Sequence, residues 1–179
     1  MKRGKKEFHN RDDIEIPLVL EGYQDIFSSF DPRDYSDGAI SKDFLLECKN
    51  ASIDKKKKIK LNLFLPKNKR ELHKEEKIRR RLKEHFNKHF LEKKQELINL
   101  IFIGLGWFIV GCALTVLTAF LMEKETSFFV KVLINIAHPG GWLFLWEGLA
   151  MILIHSKEKK EDYDFNRKMN EAKISFFSS

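Results

Sequence analysis

The sequence predicts a small cytoplasmic α/β (α+β) domain formed by both chain ends, plus a two-helix antiparallel transmembrane hairpin preceded by a long basic juxtamembrane helix. Three observations predict this fold class. Of the 179 residues, 33 are Lys or Arg and 26 are Asp or Glu, yet two segments are nearly free of charge. Apolar and polar residues alternate near both chain ends, as they do in strands. Lys and Arg flank the two uncharged segments on the sides away from their connection.

The two uncharged segments are long enough to cross a bilayer. Residues 97–122 contain no charged side chain, and a helix needs roughly 20 apolar residues to span a hydrocarbon core of about 30 Å. Residues 132–155 form a second apolar segment that holds a single carboxylate. A connection at 123–131 is too short for anything but a turn between antiparallel helices. We therefore predict a transmembrane hairpin.

The distribution of Lys and Arg predicts the orientation of the hairpin. Cations crowd the sequence before the first span and after the second, whereas the connection offers only Lys124 and Lys131. Cytoplasmic loops carry the excess of Lys and Arg, so both termini are expected in the cytoplasm and the protein in the inner (cytoplasmic) membrane. The basic leader at 1–13 is not followed by an apolar core, so we predict a flexible segment and not a secretory signal.

Residues 14–96 read as strand, helix, strand and basic helix. Apolar side chains alternate over 14–20, and Pro17 places this strand at a sheet edge because proline cannot donate to a ladder. A helix is predicted over 42–50, after the N-capping residue type Ser. Residues 59–65 alternate most cleanly and predict the second strand.

The basic helix is predicted to run into the first span. Asn68 and Glu71 have capping-box spacing and would open this helix. No Gly or Pro follows before residue 97, so one helix is expected to continue into the bilayer. Its apolar stripe, which is wide enough for one packing partner, consists of Ile78, Leu82, Phe86 and Phe90.

Residues 156–179 are predicted to complete the N-terminal domain. They read as a helix over 156–172 and a short strand over 173–177. A strand at each end of a chain is not stable alone. Both ends are therefore expected to form one domain, with the hairpin inserted in it.

Two stretches resemble a group of uncharacterised small prokaryotic membrane proteins. The first is FDPRDYSDGAISKDFL (Phe30–Leu45), followed by a Leu-rich strand and a basic helix; the second begins GWLFLWEG at Gly141 and ends NEAKISFF. The resemblance covers most of the chain. It implies the same two-span hairpin inserted in a cytoplasmic α/β domain, and no activity or site residue comes with it.

Glu147 is the most unusual residue of the spans. It lies about 10 Å from the cytoplasmic end of the second span, where a charged side chain costs on the order of 2.5–3.5 kcal/mol. We expect it to face a neighbour, such as the indole N–H of Trp107 or a snorkelling Lys94 or Lys157. The alternatives are a structural hydrogen bond within the hairpin, an ion or proton site, and a ring that lines an oligomeric pore.

The outer half of the second span holds further polar residues, Asn135 and His138. Pro139 is expected to kink the helix, and His138 offers a pH-dependent contact near the outer interface. The alternative is that 128–137 form an interfacial turn and the span begins near Gly140.

Small residues along one face of each span predict close helix packing, because packing and not hydrophobicity drives helix association in lipid. They indicate that the hairpin associates with itself or with another membrane protein. The residues are Gly104, Gly111 and Thr115 on the first span and Gly141 and Gly148 on the second.

The basic helix is expected to bind anionic lipid headgroups, which attract juxtamembrane cations by about 1 kcal/mol each. Nucleic-acid binding is disfavoured because no aromatic platform accompanies the charge. His85 and His89 have the spacing of a metal pair, but a solvated helix face is the favoured interpretation. The cations concerned are Arg79, Arg80, Arg81 and Lys83.

No catalytic motif, cofactor motif or metal motif emerges. Asp31, Asp34 and Asp37 cluster in a turn-rich segment where Asp caps backbone amides. The favoured function is a non-enzymatic scaffold or sensor that associates with itself or a partner. The alternatives are an oligomeric pore lined by Glu147 and gated by the cytoplasmic domain, and a membrane-bound enzyme that uses the Asp31–Asp37 loop.

Overall fold

The computed structural model describes residues 14–52, 58–124 and 127–178. The chain is mostly helical with one small sheet. Two 3-10 turns, Tyr23–Ile26 and Lys67–Lys69, and a π-helical segment, Met151–His155, accompany the main elements. These are β1 (Ile14–Val19), α1 (Lys42–Ser52), β2 (Ile59–Leu65), α2 (Leu72–Lys124), α3 (Phe128–Ala150), α4 (Ser156–Glu171) and β3 (Lys173–Ser178). The predicted leader at 1–13 lies outside the described residues.

The sheet has three parallel strands in the order β1-β2-β3. Pro17 lies on the edge strand β1, as its missing N–H predicts. The central strand pairs with segments from both chain ends: Leu61 pairs with Ile16 on one side and with Ile174 on the other. The strands predicted near the two ends therefore belong to one sheet.

One face of the sheet carries the core. Buried side chains alternate with more exposed ones along β1 and β3, whereas the central strand β2 has no exposed residue and buries Asn62 as well as its apolar residues. The helices α1, α2 and α4 contribute Phe44, Cys48, Met169 and the stripe of α2 to the same core as the apolar strand residues. Ile78, Leu82 and Phe86 are fully buried, whereas Phe90 is only partly so. The stripe predicted from the sequence thus ends one turn early.

The chain divides into two compact units. The sheet unit comprises Met1–Phe90 and Phe165–Ser179, so it is built from both chain ends. The hairpin unit is the continuous segment Leu91–Asp164 between them. The long helix α2 therefore contributes its first part to the sheet unit and its second part to the hairpin unit.

The predicted start of the basic helix is wrong by one turn. Asn68 lies in a 3-10 turn and α2 begins at Leu72, so Asn68 and Glu71 do not form the capping box. Pro66 immediately precedes this turn and restricts the backbone there. The continuation into the apolar segment is confirmed, because α2 runs without interruption to Lys124.

The interfacial turn considered for 128–137 is also wrong. The helix α3 begins at Phe128 and contains Pro139 in its interior. A proline removes one helix hydrogen bond, and the flanking residues remain helical on both sides of it. The apolar segment is thus one helix from Phe128 to Ala150.

Candidate functional site

Between its charged ends and its charged connection, the hairpin unit presents a largely apolar surface. Each of its two helices contains a long apolar stretch of which only 11% is buried. Large side chains such as Val116, Ile136 and Leu143 are more than half exposed. Soluble proteins rarely expose apolar patches of this extent. The chain therefore has two helices that are long and apolar enough to cross a membrane.

The predicted packing glycines lie where α2 and α3 meet, in antiparallel order. A Cβ placed on Gly148 would lie 2.5 Å from the backbone N of Phe108 and 2.6 Å from the O of Gly104. A Cβ on Gly104 would lie 3.1 Å from the O of Gly148. Only glycine permits this approach, because any side chain would collide with backbone atoms.

A second close contact follows one to two turns further towards the connection. A Cβ on Gly111 would collide with the backbone of Leu145 and lie 2.8 Å from the O of Gly141. Thr115 packs on Gly141, and its hydroxyl donates to the O of Gly111 at 2.8 Å. The five residues predicted for helix packing thus all lie between the two helices.

His138 is partly buried and contacts Thr118 of α2. Its Nδ1 is 3.0 Å from the Oγ1 of Thr118, a residue that is 3% exposed. The same hydroxyl donates to the O of Thr115 at 2.9 Å. A hydroxyl has one proton, so this arrangement requires His138 to donate from Nδ1–H to Thr118. Thr118 was recognisable from its place on the small-residue face, but its partner was not.

The predicted neighbour of Glu147 is wrong. Glu147 is exposed on the outer face of α3, as is Asn135. Trp107 does not meet the carboxylate; its ring packs on Phe144 with centroids 5.0 Å apart. The outer face of the hairpin unit therefore carries a carboxyl group within an apolar segment.

Most of the predicted lipid-binding cations are used inside the sheet unit. Arg79 Nε donates to the O of Ile174 at 3.2 Å and Arg81 Nε to the O of Gly38 at 3.1 Å. Lys83 Nζ donates to the O of Asn170 at 3.0 Å. These contacts hold distant backbone segments together, and the binding of the four cations to lipid headgroups stays a prediction.

Arg80 and Arg79 are both exposed, but Arg80 pairs within α2 and not with a distant carbonyl group. Its side chain is 71% exposed and lies 3.7 Å from the carboxylate of Glu84. The cations that adjoin the apolar segments lie within the hairpin unit, where Lys93 and Lys159 share Glu96 at 2.8 and 3.5 Å.

A partly buried ion pair that the sequence reasoning missed ties β3 to the start of α2. Arg70 Nε lies 2.8 Å from Glu75 Oε1, and Arg70 also donates to the O of Phe176 at 3.3 Å. Tyr23 Oη donates to the same carboxylate at 3.3 Å. Glu75 is 3% exposed, and its hydrogen bonds from Arg70 lower its pKa. Only the spacing of Arg70 and Glu75, five residues apart, hints at this pair in the sequence.

The carboxylates of the Asp31–Asp37 loop contact groups of the loop and its flanking residues or a lysine of α2. Asp31 accepts hydrogen bonds from the guanidinium of Arg33 at 2.6 Å and from the N–H of Ala39 at 2.6 Å, and these bonds hold its pKa well below the usual range. Asp34 lies 3.5 Å from Lys77. These contacts are typical of carboxylates that close a loop. The enzyme alternative at this loop stays a prediction.

Two further groups bear on metal and redox chemistry. The rings of His85 and His89 lie 4.4 Å apart. Within the described ranges, no group of three or more His, Cys, Asp or Glu side chains is placed to hold a metal ion. Cys48 is fully buried, and its burial raises the pKa of the thiol to about 12.

Comparison of the chain with protein-family models, with curated proteins and with solved structures finds no match.

Proposed function

We propose that the chain is an integral protein of the cytoplasmic membrane that acts as a non-enzymatic scaffold. In this proposal α2 and α3 cross the bilayer, the sheet unit lies in the cytoplasm, and the hairpin associates with a second copy through the outer face of α3. The single observation that carries the proposal is the exposed carboxyl group of Glu147 in an apolar helix.

The pairing of β2 with β3 supports a two-span topology. Both apolar helices lie between these strands in the sequence. Two strands can form one sheet only if they lie on the same side of a membrane, so an even number of crossings must separate them. The distribution of cations then favours the cytoplasm as that side, because Lys and Arg surround the hairpin at its termini.

The cost of exposing Glu147 to lipid favours the association of two hairpins. Glu147 precedes Ile154 by seven residues, hence about 10 Å along the helix from the end of the span. A carboxylate that faces lipid at this depth costs on the order of 2.5–3.5 kcal/mol. Its own hairpin offers it no cover, because the small residues next to it already fill the helix interface.

A second copy offers that cover. Gly140 lies two helical turns before Glu147 on the same side, and a Cβ on Gly140 would meet nothing within 4 Å. If the α3 helices of the two copies pack in parallel at this face, their Glu147 carboxyl groups lie at the same depth in the bilayer. There they can hydrogen-bond to each other or to the indole N–H of Trp146, and Gly140 permits the helices to approach.

The test is the mass of the detergent-solubilised protein, measured by light scattering with correction for bound detergent. We expect twice the chain mass of 21.2 kDa. Glu147→Leu should shift the protein to the monomer, whereas Glu147→Gln, which retains hydrogen bonding, should retain the dimer. The control Val116→Leu, at a 70% exposed position of α2, should leave the mass unchanged. A monomeric wild type, or a Glu147→Leu variant with the wild-type mass, would overturn the proposal.

An ion pathway lined by Glu147 from several copies is the second candidate, and the outward orientation of this residue favours it. It requires a closed ring of more than two copies. If the mass exceeds that of a dimer, ion flux into liposomes becomes the deciding measurement. Unchanged ion selectivity in Glu147→Gln would exclude this candidate.

A further inference from the structure

Glu147 has no basic partner within the apolar segments of the chain. Residues 97–122 and 132–156 contain no other Asp or Glu and no Lys or Arg. The nearest Lys or Arg in the sequence is Lys157, which follows Glu147 by ten residues, or about 15 Å at the rise of an α-helix. In the proposed topology Lys157 lies at the membrane surface, whereas Glu147 lies below it.

The two histidines of the same segment have other contacts. His138 lies about 180° around the helix axis from Glu147, and its Nδ1 is 3.0 Å from the hydroxyl of Thr118. His155 lies 3.9 Å from the carboxylate of Glu158. A parallel second copy brings the same residues to the same depths. Neither the hairpin nor its copy therefore supplies a positive charge that would neutralise Glu147.

Two exposed indole rings lie beside the carboxyl group. Trp146, which is 59% exposed, lies about 100° around the axis from the exposed Glu147. Trp142, which is 49% exposed, lies one turn from Trp146 on the same side. The face of an aromatic ring attracts a cation through its quadrupole, and the attraction is strongest for Trp and in a desolvated site. The outer face of α3 thus combines a carboxyl group with the rings that attract cations best.

We propose that the Glu147 carboxyl groups of two associated hairpins bind a lipophilic organic cation, whose charge is shielded by apolar substituents. The cation supplies the counter-charge that the protein lacks, and its substituents pack on the rings of Trp146 and Trp142. The inference rests on the proposed association, because the second copy supplies the opposite wall of the site. A cation of this kind dissolves in the bilayer and reaches the carboxyl groups from the lipid.

The residues around Glu147 favour this class of cation over metal ions and primary amines. Leu143, one turn before Glu147 on the same side of α3, is apolar, and Gly140 beyond it has no side chain. Ca²⁺ and Mg²⁺ take several oxygen ligands, and a primary ammonium has several N–H donors to satisfy. In the part of the chain that the structure describes, no group of three or more His, Cys, Asp or Glu side chains is placed to hold a metal ion. A quaternary cation needs no such set of ligands or acceptors.

Binding of tetraphenylphosphonium to the full-length protein in dodecylmaltoside micelles tests the proposal. Equilibrium dialysis against the labelled cation measures the amount bound. We expect saturable binding by the wild type and none by Glu147→Gln, which should keep the dimer. Glu147→Asp, which keeps the charge, should retain saturable binding. Trp146→Leu should bind about ten-fold more weakly, because it removes a cation–π contact.

Tetraphenylborate is the matched control ligand, because it has the same shape and the opposite charge. It should show no saturable binding, which separates recognition of the charge from partition into the micelle. The control variant Val116→Leu, at a 70% exposed position of α2, should bind the cation as the wild type does.

Three results would overturn the proposal. Equal binding of the cation by the wild type and Glu147→Gln would show that the carboxyl group stays neutral and holds no cation. Saturable binding of tetraphenylborate would show that charge is not recognised. Wild-type affinity in Trp146→Leu would show that the indole ring forms no part of the site.

The mass in detergent separates this inference from the proposed function. A dimer whose binding of tetraphenylphosphonium does not depend on Glu147 leaves the hairpin association standing and overturns the cation site. A monomer overturns both, because the site needs two hairpins.

Discussion

Replacement of Gly148 by alanine tests how the hairpin is held together. Its Cβ would lie 2.5 Å from the backbone N of Phe108 and 2.6 Å from the O of Gly104. Neither is the end of a flexible side chain, so the helices must move apart by about 1 Å to reach ordinary contact distance. Such overpacking costs about 1–3 kcal/mol. The separation also weakens the other contacts of the interface.

Gly106→Ala is the matched control on the same helix pair. A Cβ at Gly106 meets nothing within 4 Å, and alanine is about 1 kcal/mol better than glycine inside a helix. This variant should therefore be neutral or more stable than the wild type. Both variants gain the same helix propensity, so we expect the free energies of unfolding of Gly148→Ala and Gly106→Ala to differ by the overpacking cost of about 1–3 kcal/mol. Gly141→Ala should fall between them, because its closest obstacle is the movable hydroxyl of Thr115.

The assay is unfolding of the full chain in dodecylmaltoside micelles titrated with SDS, followed by tryptophan fluorescence, since all three tryptophans lie in the apolar helices. The free energy of unfolding should be highest for Gly106→Ala, intermediate for Gly141→Ala and lowest for Gly148→Ala, in the order in which the added Cβ meets closer and less movable atoms. Equal unfolding free energies for Gly148→Ala and Gly106→Ala would refute the close approach of α2 and α3. A strong effect in both would instead indicate that the exposed glycine also lies in a contact.

The sheet unit yields two further predictions. Glu75 has a lowered pKa because of Arg70, so its stabilising contribution is complete above its ordinary pKa of 4.5 and is lost as the pH falls through the lower folded-state value. Glu75→Gln should therefore lower the free energy of unfolding at pH 7 by about 1–3 kcal/mol and make it less dependent on pH in the acid range. Thermal unfolding of both proteins across pH 3–7 measures both effects. If the stability of the variant fell with pH as steeply as that of the wild type, the role of Glu75 would be contradicted. Leu82→Ala, at a fully buried position, should cost about 2–5 kcal/mol, whereas Leu72→Ala, at an 80% exposed one, should change stability by less than about 0.5 kcal/mol. Hydrogen exchange of the β2 amides distinguishes the two, and similar protection in both variants would argue against this core.

The elements of the sheet unit were predictable because burial leaves a local period in the sequence. The alternation over 59–65 matches the strand Ile59–Leu65, and three of the four apolar residues of the basic helix are fully buried. Pro17 lacks a backbone N–H, which correctly predicted that its strand lies at the edge of the sheet. The helix start at Leu72 was missed because Asn68 and Glu71 have the spacing of a capping box, and this local signal did not prevail over the turn that follows Pro66.

The orientation of Glu147 was missed for a different reason. The desolvation cost of a carboxylate predicts that it finds a neighbour, but not whether that neighbour belongs to the same chain. The helical period alone predicts the orientation of Glu147. Its side chain is about 100° from Gly148 around the helix axis, so it lies outside the face that the glycines fill. Only a residue on that face can reach α2, and its close packing leaves no room for a carboxyl group.

The roles of the basic residues were beyond sequence reasoning. Arg79 and Lys83 donate to the carbonyl groups of Ile174 and Asn170, which lie 95 and 87 residues further along the chain. Every residue has a backbone carbonyl group, so the sequence does not show which of them accepts a hydrogen bond from a given cation. A cation that binds lipid and one that holds a distant strand therefore look alike in the sequence.

In the proposed topology, the position of the hairpin within the β2–β3 connection couples membrane insertion to folding. Without β3 the sheet is a pair of parallel strands, which is not stable alone. The buried stripe of α2 would also lack Met169 and Ala172, which cover it from the C-terminal segment. In the proposed topology that segment returns to the cytoplasm only after both helices have crossed the bilayer. A half-inserted hairpin leaves β3 on the wrong side, so the apolar core of the sheet unit stays exposed until both crossings are complete.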